Sequence, residues 1–139
     1  MNQRQVPELE QHFLSALSAA LAQEDGRATA PAVVVLFGSW VRGRARAGSD
    51  VDVAIALSAP LGEAMRQRLE AAIAAALKVD VDLVDLLSAP SHLVSQALRH
   101  GRILRGAGTP ALGAIIAKMV AEREDIAPYQ RRILEERAR

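Results

Sequence analysis

An unbroken apolar run, Ala32-Val-Val-Val-Leu-Phe37, stands between Pro31 and Gly38. A strand with no polar alternation cannot leave one face in water, so this run must lie inside a sheet covered on both sides. Helices are the natural cover, and the flanking sequence supplies them. Residues 7–21 place Leu9, Phe13, Leu14, Leu17 and Leu21 on one stripe at helical spacing. Residues 61–78 are rich in alanine and repeat Met65, Leu69, Ile73 and Leu77 every fourth position. Between them, residues 51–57 alternate as a second strand, with Asp50, Asp52 and Ala54 on one face and Val51, Val53 and Ile55 on the other.

Residues 79–86 form a third strand. A helix opening at Pro90-Ser91 turns Leu93, Val94, Ala97 and Leu98 inward and stops at Gly101, and residues 102–105 are a short last strand. Pro110 begins a helical stretch reaching about residue 126, Pro128 breaks it, and a charged helical tail follows. The reading is one domain over residues 1–106, with residues 107–139 as a C-terminal helical extension packed on it. Composition excludes several classes. The 139 residues are half hydrophobic and a quarter charged, as in a water-soluble globular chain. The absence of cysteine removes disulfides and thiolate metal sites. The longest apolar runs, 32–37 and 71–77, are too short for a bilayer, and the N-terminus lacks a signal-type apolar region. A cytoplasmic location is expected. A net charge of +1 argues neither for nor against nucleic acid.

The chemistry lies where the first strand ends. Gly38-Ser39 closes the apolar run, ten residues follow, and Asp50-Val-Asp52 comes next. Two aspartates separated by one strand residue project from the same face, where their charges repel unless a cation lies between them. Oxygen ligands without nearby His or Cys suit Mg²⁺, which completes its shell with water and substrate phosphates. The third strand, Val79-Asp-Val-Asp-Leu-Val-Asp85, offers a third carboxylate. Parity leaves Asp80 and Asp82 equivalent and puts Asp85 on the opposite face. Gly38 admits an anionic group close to the backbone, and Ser39 offers a hydroxyl and an N–H at what reads as the start of a brief helix, residues 40–45. Arg42, Arg44 and Arg46 fall between the half-motifs and suit a triphosphate, Arg42 first among them. Ser49, just before the first aspartate, is a further candidate nucleotide contact. His12, His92 and His100 are scattered and read as surface residues, and Trp40 reads as packing the motif turn on the core.

Gly38-Ser39 and Asp50-Val-Asp52 at this spacing resemble the nucleotidyltransferase superfamily that includes DNA polymerase β, over residues 30–106. The resemblance implies an α/β (α+β) fold with a small mixed sheet flanked by helices. It also implies two Mg²⁺ ions and a nucleotide donor, and it selects Asp82 as the third metal carboxylate beside Asp50 and Asp52. A narrower likeness is to the MntA-type antitoxins of HEPN/MNT toxin–antitoxin systems. It is carried by Asp80-Val-Asp-Leu-Val-Asp-Leu86, Ser88-Ala-Pro-Ser91, the Gly101-to-Leu104 pattern and the extension containing Ala121-Glu-Arg-Glu-Asp-Ile126. That resemblance implies a Mg²⁺-dependent adenylyltransferase that moves AMP from ATP to a tyrosine of a HEPN ribonuclease toxin. The implied assembly is a hetero-oligomer with no membrane and no direct nucleic-acid contact. Ile126, Tyr129, Ile133 and Leu134 are the expected partner-facing residues of the tail. Two other readings fit the same residues: an antitoxin acting by contact alone, and a transferase modifying a small molecule such as an aminoglycoside.

Overall fold

The computed structural model describes residues 5–24, 30–41 and 50–126. In chain order the elements are α1 (Gln5–Gln23), β1 (Val33–Phe37), β2 (Val51–Ala56), α2 (Glu63–Leu77), β3 (Val81–Asp85), α3 (Ser91–His100), β4 (Arg102–Arg105) and α4 (Pro110–Ile126). The four strands form one sheet in the order β3-β2-β1-β4. β1 is antiparallel to both β2 and β4, whereas β2 and β3 run parallel, joined by α2. The sheet is therefore mixed, as the resemblance implies.

The two faces of β1 explain its unbroken apolar run. Val34 and Leu36 point into a core shared with Phe13, Leu17 and Leu21 of α1 and Leu69 and Ile73 of α2. Val33, Val35 and Phe37 point the other way, against Val94 and Ala97 of α3 and Leu112 and Ile115 of α4. All five strand residues are buried. Burying a Val or Leu side chain contributes roughly 1.5–3 kcal/mol, so this central strand anchors both layers. The neighbour β2 divides the same way, with Val51, Val53 and Ile55 toward α1 and α2 and Ala54 and Ala56 toward α3 and α4.

Two details depart from the sequence reading. Gly101 does end α3, but with φ −84° rather than in the left-handed conformation of a usual glycine stop. A side chain at Gly101 would run into the Ala97 carbonyl and the Val35 side chain, so closeness to both the last turn of α3 and β1 is what requires glycine. The left-handed stop belongs instead to Lys78, φ 56°, which ends α2 where no glycine marks it. After β1 the described residues form a turn, with the Val41 N–H donating to the Gly38 carbonyl at 3.2 Å. The rest of the brief helix read over 40–45 lies outside the described residues, as does the tail carrying Tyr129, Ile133 and Leu134. Among the described residues no helix is long and apolar enough to cross a membrane.

Candidate functional site

The antiparallel pairing of β1 with β2 puts Phe37 opposite Asp52, and the parallel pairing of β2 with β3 puts Asp52 opposite Asp82. The C-terminal end of β1 and the N-terminal ends of β2 and β3 thus meet at one end of the sheet. Asp52 and Asp82 are register partners on adjacent strands, so their side chains leave the same face side by side. That face is the one α3 and α4 pack on, and Phe37 is buried there too, while Asp52 is half-buried and Asp82 exposed. Toward the other end of β2, Ala56, Leu86, Ala111, Ala114 and Ile115 line an apolar cavity of about 260 Å³ that includes none of the aspartates.

Register distinguishes the two candidates that parity left equal. Asp80 precedes β3, and its carbonyl accepts the Val51 N–H at 2.8 Å. Asp82, two residues on, is the one level with Asp52. Asp85 is excluded by its bonding. Its carboxylate is buried and accepts hydrogen bonds from the Leu61 N–H (2.9 Å), the Leu87 N–H (3.0 Å) and the Ser88 hydroxyl (2.6 Å). These tie the strand end to the loops on either side, and Asp85 has a complete set of partners without any ligand.

Electrostatics mark the other group. Burial pushes the half-buried Asp52 carboxyl above its ordinary range, and the charges of Asp82 and Asp50 push it further. Among the described residues no hydrogen-bond donor of the protein offsets this crowding. Nor do three carboxylate or His side chains among them already converge as a finished metal cage. Crowded oxygen donors, one partly desolvated and open on one side, fit a Mg²⁺ that arrives with its nucleotide and draws its remaining ligands from water and phosphate. Asp50 stands exposed immediately before β2, within electrostatic reach of Asp52.

Gly38 completes the described geometry. It turns the chain at φ +82°, and a Cβ there would collide with the Asp52 carboxylate. Only glycine lets the turn pass so near the aspartate. Ser39 follows in the turn, half-buried, and Trp40 packs against the α1/α2 core as expected. Arg42 and Ser49, with Arg44 and Arg46, lie outside the described residues. His12, His92 and His100 are all exposed and take no part in the site.

Comparison with known proteins agrees with this fold. Residues 21–107 match the family described as polymerase beta, nucleotidyltransferase. Over 74 residues the chain is 39% identical to the protein adenylyltransferase MntA of Shewanella oneidensis, covering 53% of each protein. The chain thus aligns with about half the length of that curated relative. A chain in a crystal structure of a toxin–antitoxin with AMP-PNP superposes with a TM-score of 0.72 at 25% identity, covering 94% of this chain and 98% of that one. A chain from tri-AMPylated Shewanella oneidensis HEPN toxin in complex with MNT antitoxin shares the fold at a TM-score of 0.64 and 24% identity, over 94% of this chain and 99% of that one. With the family matched across all four strands of the sheet and the Gly-Ser and paired-aspartate positions included, this chain belongs to the polymerase beta nucleotidyltransferase family.

Proposed function

We propose that this chain is an antitoxin that transfers AMP from ATP to a tyrosine of a HEPN-type toxin partner, in the cytoplasm and as part of a hetero-oligomer. The observation that carries the reading is the level pairing of Asp52 with Asp82 beside the Gly38 turn, in a chain 39% identical to an adenylyltransferase over its matched region. The neighbouring fold with a bound ATP analogue supports ATP as the donor. We take residues 1–106 as the catalytic domain and α4 onward as its extension; the family match to residue 107 supports that boundary.

In this reading Asp50, Asp52 and Asp82 hold two Mg²⁺ ions. When bound, Mg²⁺ neutralises the triphosphate, orients it and stabilises the departing pyrophosphate oxygens. The chain's own groups do the rest. Gly38 lets the phosphates approach the turn without obstruction by a side chain. Ser39 offers its hydroxyl and N–H to them, and Arg42 and Ser49 join it from the segment before β2. The acceptor hydroxyl oxygen bonds to the α-phosphorus of ATP while the bond to the β-phosphate bridging oxygen breaks, releasing pyrophosphate. Asp82 takes the hydroxyl proton.

Intact mass spectrometry tests this directly. The chain is incubated with ATP, Mg²⁺ and a HEPN-domain protein encoded at the same locus. A gain of one or more AMP units on the partner, absent with Asp50→Ala/Asp52→Ala, is the expected result. A stable complex with unchanged mass and intact neutralisation would replace catalysis with inhibition by contact. AMP found on a small hydroxylated molecule instead would make the acceptor non-protein.

A further inference from the structure

The third carboxylate sits on an edge strand of the sheet. β3 is an edge, hydrogen-bonded to β2 on one side only. Within a strand, alternate residues direct both their N–H and C=O to the same side. Asp80 and Leu86 bond toward β2, through the Asp80 carbonyl and the Leu86 N–H, so Leu83 turns both of its backbone groups to the open edge. Those groups are met by side chains. Glu70 of α2 accepts the Leu83 N–H at 2.9 Å through Oε2, and Arg66, one helical turn earlier, donates from Nη1 to the Leu83 carbonyl at 3.4 Å. The same Nη1 also donates to Glu70 Oε2 at 2.8 Å. Glu63 holds the guanidinium from its far side, accepting from Nη2 at 2.6 Å and Nε at 3.0 Å.

The pair reproduces what a neighbouring strand would supply at one residue, an acceptor for the N–H and a donor for the C=O. Its location is selective: it grips the backbone of the residue immediately after Asp82, not the strand end that Asp85 already secures. Both side chains are largely shielded, at 25% and 28% exposure, unlike an ordinary surface ion pair. Arg66 also senses the carboxylate. Hydrogen bonding to Glu63 raises its pKa most, desolvation opposes this, and the charges of Glu63, Glu70 and Asp82 raise it further.

We infer that Arg66 and Glu70 are positioning residues for the metal site: they pin Leu83 so that Asp82 stays level with Asp52. This rests on the assignment of Asp82 as a metal carboxylate. An edge strand free to breathe would spread the Asp82 carboxylate over many positions, and a divalent ion bound between two strands would lose affinity. Partners that orient metal ligands indirectly typically matter by about 10- to 100-fold in metal affinity.

Calorimetric binding of a non-hydrolysable ATP analogue, titrated across Mg²⁺ concentrations, measures this without turnover. In Glu70→Ala the half-saturating Mg²⁺ concentration rises about tenfold. Glu70→Gln, which keeps a carbonyl oxygen for the Leu83 N–H, recovers most of the loss and remains folded. Arg66→Ala shows the same direction as Glu70→Ala. If both variants lower the melting temperature but leave the Mg²⁺ dependence at wild type, while Asp82→Asn raises it, the pair is structural only and the inference fails. If Asp82→Asn itself leaves the Mg²⁺ dependence unchanged, the assignment of Asp82 fails, and the role of the pair falls with it.

Discussion

Asp82 and Asp85 stand three residues apart on the same strand and have opposite fates. Asp85 is buried and receives two backbone N–H groups and a hydroxyl, so its charge is solvated by the protein itself. Asp82 is exposed, receives no donor from the described residues, and lies level with a second carboxylate whose protonation its charge favours. The first arrangement is complete as it stands. The second is a crowded cluster, within electrostatic reach of Arg66 but bonded to no donor among the described residues, that an added cation would relieve. A buried, fully bonded acid serves stability, whereas a crowded, unbonded one is a candidate for chemistry.

Exchanging the two roles by mutation is the sharpest way to break the comparison. Asp82→Asn removes one charge and no hydrogen bond, so AMP transfer falls on the order of a thousandfold if the residue both holds metal and takes the proton. The melting temperature stays within a degree or two of wild type. Steady-state transfer rates set beside thermal melts check both halves. A large loss of stability with little loss of rate would place Asp82 with Asp85 as a structural acid.

Asp85→Ala is the mirror experiment. It strands two half-buried backbone donors, each costing about 1–3 kcal/mol when left unpaired, and leaves the hydroxyl of the exposed Ser88 to water. A net loss of about 3 kcal/mol is expected, read as a drop on the order of 10 °C in melting temperature. Activity per folded molecule is retained below the transition. Loss of activity at unchanged stability would mean that Asp85 communicates with the reacting groups, and the division between the two aspartates would collapse.

The sequence made some of these distinctions legible and left others hidden. The order of elements was legible because β1 is apolar throughout while α1 and α2 repeat every third or fourth residue, and these periods are hard to confuse. The candidate carboxylates were legible because Asp50-Val-Asp52 follows Gly38-Ser39 at close range in sequence. Parity separated Asp85 from the other two aspartates but could not choose between Asp80 and Asp82. That choice is a matter of register between strands, set by pairing across 30 residues, which local pattern does not encode. The stop of α2 at Lys78 was hidden for a related reason: no glycine announces its left-handed conformation. Arg66 and Glu70 read as an ordinary helical pair at i and i+4, and only the position of the β3 edge gives them a partner.

Gly38→Ala tests whether the turn belongs with the crowded aspartates or merely joins two strands. At φ +82° an alanine costs roughly 1–2 kcal/mol, and its methyl must displace the Asp52 carboxylate. Differential melts register a loss of about that size. Transfer falls by about tenfold or more beyond what unfolding explains, because a misplacement near 1 Å at a reacting centre carries a penalty of up to 100-fold. A variant that is destabilised yet fully active after correction for folding would reduce Gly38 to a connector.

The smallest effect expected concerns the metal-free protein and discriminates most finely. Burial, then Asp82, then Asp50 raise the Asp52 pKa above its ordinary value of 3.8. Between that value and the raised one, the folded state holds a proton that the unfolded state has released, so stability falls as pH rises through the window. Above the window the folded protein carries an ionised carboxylate that its neighbours disfavour. Asp52→Asn removes that burden, so in chelator its melting temperature exceeds wild type at neutral pH. The gain vanishes as pH falls below the ordinary carboxylate range, where wild-type Asp52 is neutral in both states. Glu24 and Glu63, whose pKa values are lowered chiefly by hydrogen bonds from Arg68 and Arg66, act in the opposite sense, but they are present in both proteins and cancel in the difference. Adding Mg²⁺ with an ATP analogue reverses the order, since ligand binding stabilises wild type and the variant lacks the charge to hold it. A variant less stable than wild type in chelator at neutral pH would mean that Asp52, like Asp85, is already satisfied by the protein, and that the open carboxylate cluster is not poised for a cation.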